Sequence, residues 1–132
     1  MQALGKRRWA MAGGHIPLES NGPEPEFTSR DELSVLNCSD TAARIRIHIH
    51  YADRPAVGPY ELEIAAKRVR HIRFNDLIFP EAPPLDEPFG AVIDADVPVV
   101  VQFTRLDGGT RARSAVATAA YPERTSSRRR PR

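Results

Sequence analysis

Cysteine is nearly absent. Cys38 is the only one in 132 residues, which excludes an intramolecular disulfide framework and any zinc site built from several thiolates. A reducing compartment, the cytoplasm, is the expected location. Long apolar runs are missing as well. The longest unbroken aliphatic stretch, Val97-Pro98-Val99-Val100-Val101, is far short of the roughly 20 apolar residues that span a bilayer, so no transmembrane helix is expected. Lys6-Arg7-Arg8 followed by Trp9-Ala10-Met11-Ala12 has the outline of a secretory signal. Its apolar part stops at Gly13-Gly14-His15, below the roughly 7 to 15 residues such a signal needs. Sustained helical stripes are lacking too: no 10-residue window keeps one apolar face at helical spacing. Twelve prolines and eight glycines argue further against a helical bundle, because proline breaks helix interiors and glycine weakens them.

What is present is the material of one small globular domain. Hydrophobic residues make up 41% and charged residues 27% of the chain, far from the profile of a disordered protein. The net charge of +2 conceals an asymmetry. Residues 122–132 hold five arginines (Arg124, Arg128, Arg129, Arg130, Arg132) against Glu123, a net of +4, which leaves −2 for residues 1–121. The expected organisation is therefore a folded domain over residues 1–121 and a disordered Arg-rich tail over 122–132, since the tail has no apolar residue to bury. Such a tail is either simply solvated or a contact for nucleic acid, acidic lipid or an acidic protein face.

Residues 44–51 alternate strictly, with Arg44, Arg46, His48 and His50 on one side and Ile45, Ile47, Ile49 and Tyr51 on the other. Period two with β-branched residues predicts a half-buried strand. The same pattern, less cleanly, marks 33–36, 60–64 and 69–74. The apolar run at 97–103 reads as a strand buried on both faces, and 115–121 as a last strand whose alanines leave helix open. The spacers are rich in turn residues, among them Asn37-Cys38-Ser39-Asp40, Val57-Gly58-Pro59, Pro80 to Pro88 and Asp107-Gly108-Gly109. The fold class expected is all-β, a single-domain antiparallel β-sandwich.

Catalytic and metal signatures are weak. His48-x-His50 puts two imidazoles on one strand face, but a metal needs further ligands, and Arg44 and Arg46 on the same face repel a cation. Ser20, Ser29, Ser34, Ser39 and Ser114 lack a glycine-flanked nucleophile elbow, and Cys38 has no positive neighbour in sequence. Neither Gly13-Gly14 nor Gly108-Gly109 has the spacing of a phosphate loop. Glu24, Glu26, Asp76 and Asp107 do not single out an acid/base pair. No enzyme activity, metal or cofactor is expected. Polar residues at strand ends stand out instead: Arg73-Phe74-Asn75-Asp76-Leu77 and Gln102-Phe103-Thr104-Arg105-Leu106-Asp107. Beside Trp9 or Tyr60 they have the chemistry of a pocket for a polyhydroxylated or anionic small molecule. The plainer alternative is internal pairing, Arg73 with Asp76 and Arg105 with Asp107.

Ordered motifs along nearly the whole domain resemble the sensory rhodopsin transducer family. They are Trp9-Ala10, Ile16-Pro17, Asn21-Gly22-Pro23-Glu24-Pro25 with Phe27, Leu36-Asn37, Tyr51 and Val57-Gly58-Pro59-Tyr60. Arg73-Phe74-Asn75-Asp76-Leu77, Val97-Pro98 with Val100-Val101-Gln102, and Thr104-Arg105-Leu106-Asp107 complete the set. The resemblance implies a β-sandwich similar to jelly-roll and carbohydrate-binding modules, a homotetramer, and a cytoplasmic role in signal transduction without catalysis. It also implies a membrane receptor of the rhodopsin type as partner and a small polar, sugar-like ligand. The ligand-binding positions implied are Trp9, Asn21, Glu24, Asn75, Asp76, Arg105 and Asp107. His48, His50 and the arginine tail are features the family pattern does not account for. The tail keeps a nucleic-acid-binding regulator open as the rival reading.

Overall fold

The computed structural model describes residues 4–16, 30–84, 87–107 and 114–124. They form eight strands in the order β1 (Lys6–His15), β2 (Arg30–Asn37), β3 (Ala43–Tyr51), β4 (Val57–Ile64), β5 (Arg68–Arg73), β6 (Pro88–Asp107), β7 (Ser114–Ala119) and β8 (Tyr121–Pro122). A single 3₁₀ turn, Phe74–Asp76, follows β5. Every strand pair is antiparallel. The all-β expectation holds. Among the described residues no helix is long and apolar enough to cross a membrane.

The first sheet runs β4-β3-β6-β1-β8, and the second runs β5-β2-β6-β7. The 20-residue β6 belongs to both. Its first half pairs with β3 as far as Ala95 and with β1 as far as Asp94 and, past a register shift, Val99, and its second half pairs with β2 from Val100 onward. Pro98, which has no N–H to give a ladder, sits in the stretch where β6 passes from one sheet to the other. The expectation that 97–103 is buried on both faces needs correction. Val99, Val101 and Phe103 are buried, Val97 and Val100 are half-buried and Gln102 is exposed. Each sheet covers the core on one side only, so even this valine-rich run obeys period two.

β3 shows why the sandwich forms. Ile45, Ile47 and Ile49 are fully buried, while Arg44, Arg46 and His50 are exposed and His48 is half-buried. These isoleucines join Ile93 of the first sheet and Leu33, Val35, Val101 and Phe103 of the second in one core. β1 went unread in the sequence because its glycines and basic start mask its periodicity. Gly14 is required there, since a Cβ would lie 2.3 Å from the Phe89 ring. At the far end of β2, the buried Asn37 amide donates to Thr41 O, Ile64 O and Ala65 O at 2.9, 3.1 and 3.2 Å, tying β2 to the β3–β4 hairpin. Strand pairing continues past the boundary expected at residue 121: Pro122 stands opposite Trp9, and the Glu123 N–H donates to Arg8 O at 2.8 Å. Residues 125–132 of the expected tail lie outside the described residues.

Candidate functional site

One end of the sandwich gathers strand ends that are far apart in sequence. β2 lies between β5 and β6, with Glu32 opposite both Arg73 and Thr104, and Asp31 opposite Arg105. β5 leads directly into the 3₁₀ turn. The turn is pinned by Phe74, whose ring packs edge-on against Phe89 with centroids 4.9 Å apart. β1 closes the same end, where the His15 N–H donates to Asp31 Oδ2 at 2.6 Å.

Two guanidinium–carboxylate pairs sit here, and they differ in kind. Asp31 is fully buried, and Arg105 holds it through Nε to Oδ1 at 2.9 Å and Nη2 to Oδ2 at 3.3 Å. Nη2 also donates to the Gly13 carbonyl. This pair ties β1, β2 and β6 together at a place where an unpaired carboxylate would be costly. Arg105 thus pairs with Asp31, 74 residues away; its neighbour in sequence, Asp107, ends β6, with its side chain outside the described set. The second pair is Arg73 with Asp76, Nε to Oδ2 at 2.9 Å and Nη2 to Oδ1 at 3.1 Å, at the surface. Asn75, between them in the turn, is exposed and makes no hydrogen bond to any described residue.

The site residues expected from sequence fall into three groups. Asn75, Asp76, Arg105 and the backbone of Asp107 come to this end. Asn21 and Glu24 lie outside the described residues, in the connection from β1 to β2. Trp9 stands elsewhere, six residues before His15 on β1, about 20 Å of extended chain. Its indole Nε1 donates to Lys6 O and Val99 O, both at 3.0 Å, and its ring packs on the core.

A cleft of about 310 Å³ opens beside the turn, between β4 and β5, lined among others by Tyr60, Arg70, His71, Arg73, Asp76 and Phe79. Its volume lies at the lower end of what small-ligand sites occupy. Phe79 is exposed at its rim, and Arg70 Nη1 donates to Glu63 O at 3.1 Å. Tyr60 forms the buried wall. Its hydroxyl donates to Glu81 O, and burial pushes its phenol up to about 12. Nearby, Arg54 stacks 4.1 Å above the Tyr51 ring and bonds Glu87 at 2.6 Å. Burial raises the Tyr51 phenol, and Arg54 partly opposes the rise. Asp31 and Glu87 carried no sequence signal, because their partners are 74 and 33 residues away.

The chemistry on offer is recognition. Exposed guanidinium, carboxylate, imidazole and amide groups beside an aromatic rim supply donors and acceptors for a polar molecule. Among the described residues no group of three or more His, Cys, Asp or Glu converges to hold a metal ion. His48 and His50 sit on the outer face of the first sheet, opposite Val92 and Gly90 of β6.

The family model described as ASRT, Anabaena sensory rhodopsin transducer, matches residues 4–122. The solved structure of Anabaena sensory rhodopsin transducer is similar to this chain at 47% identity and a TM-score of 0.74, covering 81% of this chain and 92% of its own. The crystal structure of Thermotoga maritima 1070 is similar at 32% identity and a TM-score of 0.78, covering 90% of this chain and 96% of its own. A search of curated proteins gave no match.

Proposed function

The chain belongs to the Anabaena sensory rhodopsin transducer family, and on that premise we propose that it is a non-enzymatic signal-transduction protein of the cytoplasm. In this reading it binds a small polar, sugar-like ligand beside the 3₁₀ turn and passes its state to the cytoplasmic face of a rhodopsin-like membrane receptor. The observation that carries the ligand half is the cleft of about 310 Å³ into which Arg73 and Asp76 converge with the Phe79 rim. A paired guanidinium and carboxylate give bidentate partners to vicinal hydroxyls, and an exposed ring offers an apolar platform. Asn75 and the segment carrying Asn21 and Glu24 complete the ligand set. Trp9 and Arg105 act behind it, as anchors of the frame. The assembly proposed is a homotetramer, which light scattering on the purified protein tests.

The deciding experiment is a thermal-shift screen against sugars, sugar acids, nucleotides and organic acids, because a ligand that binds only the native state raises the melting temperature by mass action. A shift that disappears in Asn75→Ala and Asp76→Ala, both exposed and outside the core, is the expected result. If no compound in the library produces a shift, the ligand half of the proposal is wrong and the receptor-adaptor half stands alone.

A further inference from the structure

The outer face of the first sheet is crossed by a row of residues whose charge alternates from strand to strand. Glu123 follows β8, Arg8 is on β1, Asp94 on β6, Arg46 on β3 and Glu61 on β4. Arg8 bonds Asp94 at 2.8 Å and lies 4.0 Å from Glu123, and Arg46 lies 3.7 Å from Glu61. The next row is left incomplete. Arg44 stands opposite Glu63, and Asp96 Oδ1 accepts only the Arg44 backbone N–H, at 2.8 Å. The Glu63 carboxylate has no ion-pair partner among the described residues. The two rows line a groove of about 730 Å³ in which the carboxylates of Glu61, Glu63, Asp94 and Asp96 outnumber the guanidiniums of Arg44 and Arg46.

The chain itself runs toward this gap. β8 is antiparallel to β1, with Tyr121 opposite Ala10, Pro122 opposite Trp9 and Glu123 bonded to Arg8. A chain continued on this line would advance along the sheet edge from the complete row toward the incomplete one. The residues after Glu123 are Arg124-Thr125-Ser126-Ser127-Arg128-Arg129-Arg130-Pro131-Arg132, five arginines without one acid, beyond the span matched by the family model. Strands lie about 4.8 Å apart, so Asp96, two strands in from β8, is roughly 10 Å away and Glu63, four strands in, roughly 19 Å. Extended chain from Arg124 covers about 13 Å by Arg128 and about 20 Å by Arg130.

We propose that residues 125–132 dock in trans-strand fashion across the outer face of the first sheet, with Arg128 to Arg130 supplying the cations that Asp96 and Glu63 lack. The occupant of the groove is the protein's own tail. Individually weak surface pairs suffice because the tether keeps the arginines at high local concentration. Docking also withholds these arginines from nucleic acid and acidic membranes at low ionic strength.

The test is trypsin cleavage of the full chain after Arg128 and Arg129, followed at low and high ionic strength. It is run beside the full-length double variant Glu63→Gln with Asp96→Asn, which keeps the Arg44 backbone contact. Cleavage should be about three- to ten-fold slower in the unmodified protein at low ionic strength, with the difference abolished by salt or by the double variant. A second readout guards against a folding artefact: amide NMR shifts of Glu63 and Asp96 should move when Arg128, Arg129 and Arg130 are replaced by serine in the full chain. Equal cleavage rates in both proteins, with groove shifts unmoved by the serine replacements, would overturn the proposal. So would tail-dependent binding of duplex DNA at low ionic strength that the double variant fails to strengthen.

Discussion

Replacing Arg105 with alanine should unfold the protein more readily before it says anything about ligand binding. Asp31 is 0% exposed, and its carboxylate is held by two guanidinium contacts and the His15 N–H. The substitution strips the guanidinium countercharge and leaves the backbone donor behind. Breaking a fully buried pair costs about 3–5 kcal/mol. Arg105 is 38% exposed, so solvent shares the work and the expected loss is about 2–4 kcal/mol. In a chain of 132 residues that corresponds to a fall in melting temperature of roughly 8–16 °C. Urea unfolding followed by the fluorescence of the single tryptophan, Trp9, which packs on the core, is a suitable assay. Arg73→Ala is the control, because it breaks a similar bidentate contact at the surface and should cost less than about 1 kcal/mol. Asp31→Leu combined with Arg105→Met should recover part of the loss, since a buried pair replaced by apolar residues is often near neutral. If Arg105→Ala costs no more than Arg73→Ala while abolishing a ligand-induced shift, Arg105 is a ligand group and the reasoning is refuted.

Tyr60 makes stability depend on alkaline pH. Its phenol is held at about 12 in the fold against 10.0 ordinarily, so the folded state keeps the proton longer. The stabilisation is complete below pH 10 and is lost as pH rises through about 12; Tyr60→Phe should flatten the unfolding free energy across that window, and an unchanged slope would count against burial as the cause. Asn37→Ala should cost about 3 kcal/mol in urea unfolding, because it takes the buried amide from the carbonyls of Ile64 and Ala65, while Thr41 O keeps the Ser39 hydroxyl. A loss within about 0.5 kcal/mol, the scale of ordinary surface changes, would show that water replaces that amide.

How much of this could be read beforehand depends on how far apart the partners lie. The alternation of Ile45, Ile47 and Ile49 is local, and it announced both the strand and its buried face. The Arg73–Asp76 pair spans three residues and was equally visible. The Val97 to Phe103 run misled, because valine and phenylalanine say apolar without saying how many faces are covered. Trp9 was ambiguous for another reason: an aromatic with a polar tip serves a ligand or a backbone carbonyl equally well, and the Nε1 bond to Val99 O forms only once β1 lies on β6. Asp31 was silent because its meaning comes from Arg105, across a sheet that must first assemble.

β6 has one more consequence, in the way the molecule comes apart. Two sheets held by side-chain packing alone could separate and exchange their amide protons independently. Here a single strand is the inner member of both, flanked by β1 and β3 over one half and by β2 and β7 over the other. No opening that frees the ladder of Ile93 leaves the ladder of Val101 anchored to an intact neighbouring layer. The amides of these two residues, in different sheets, should therefore share one opening free energy, so that hydrogen exchange reports the sandwich as a single cooperative unit. Whatever binds at the Arg105 end would then slow exchange at the Asp94 end as well.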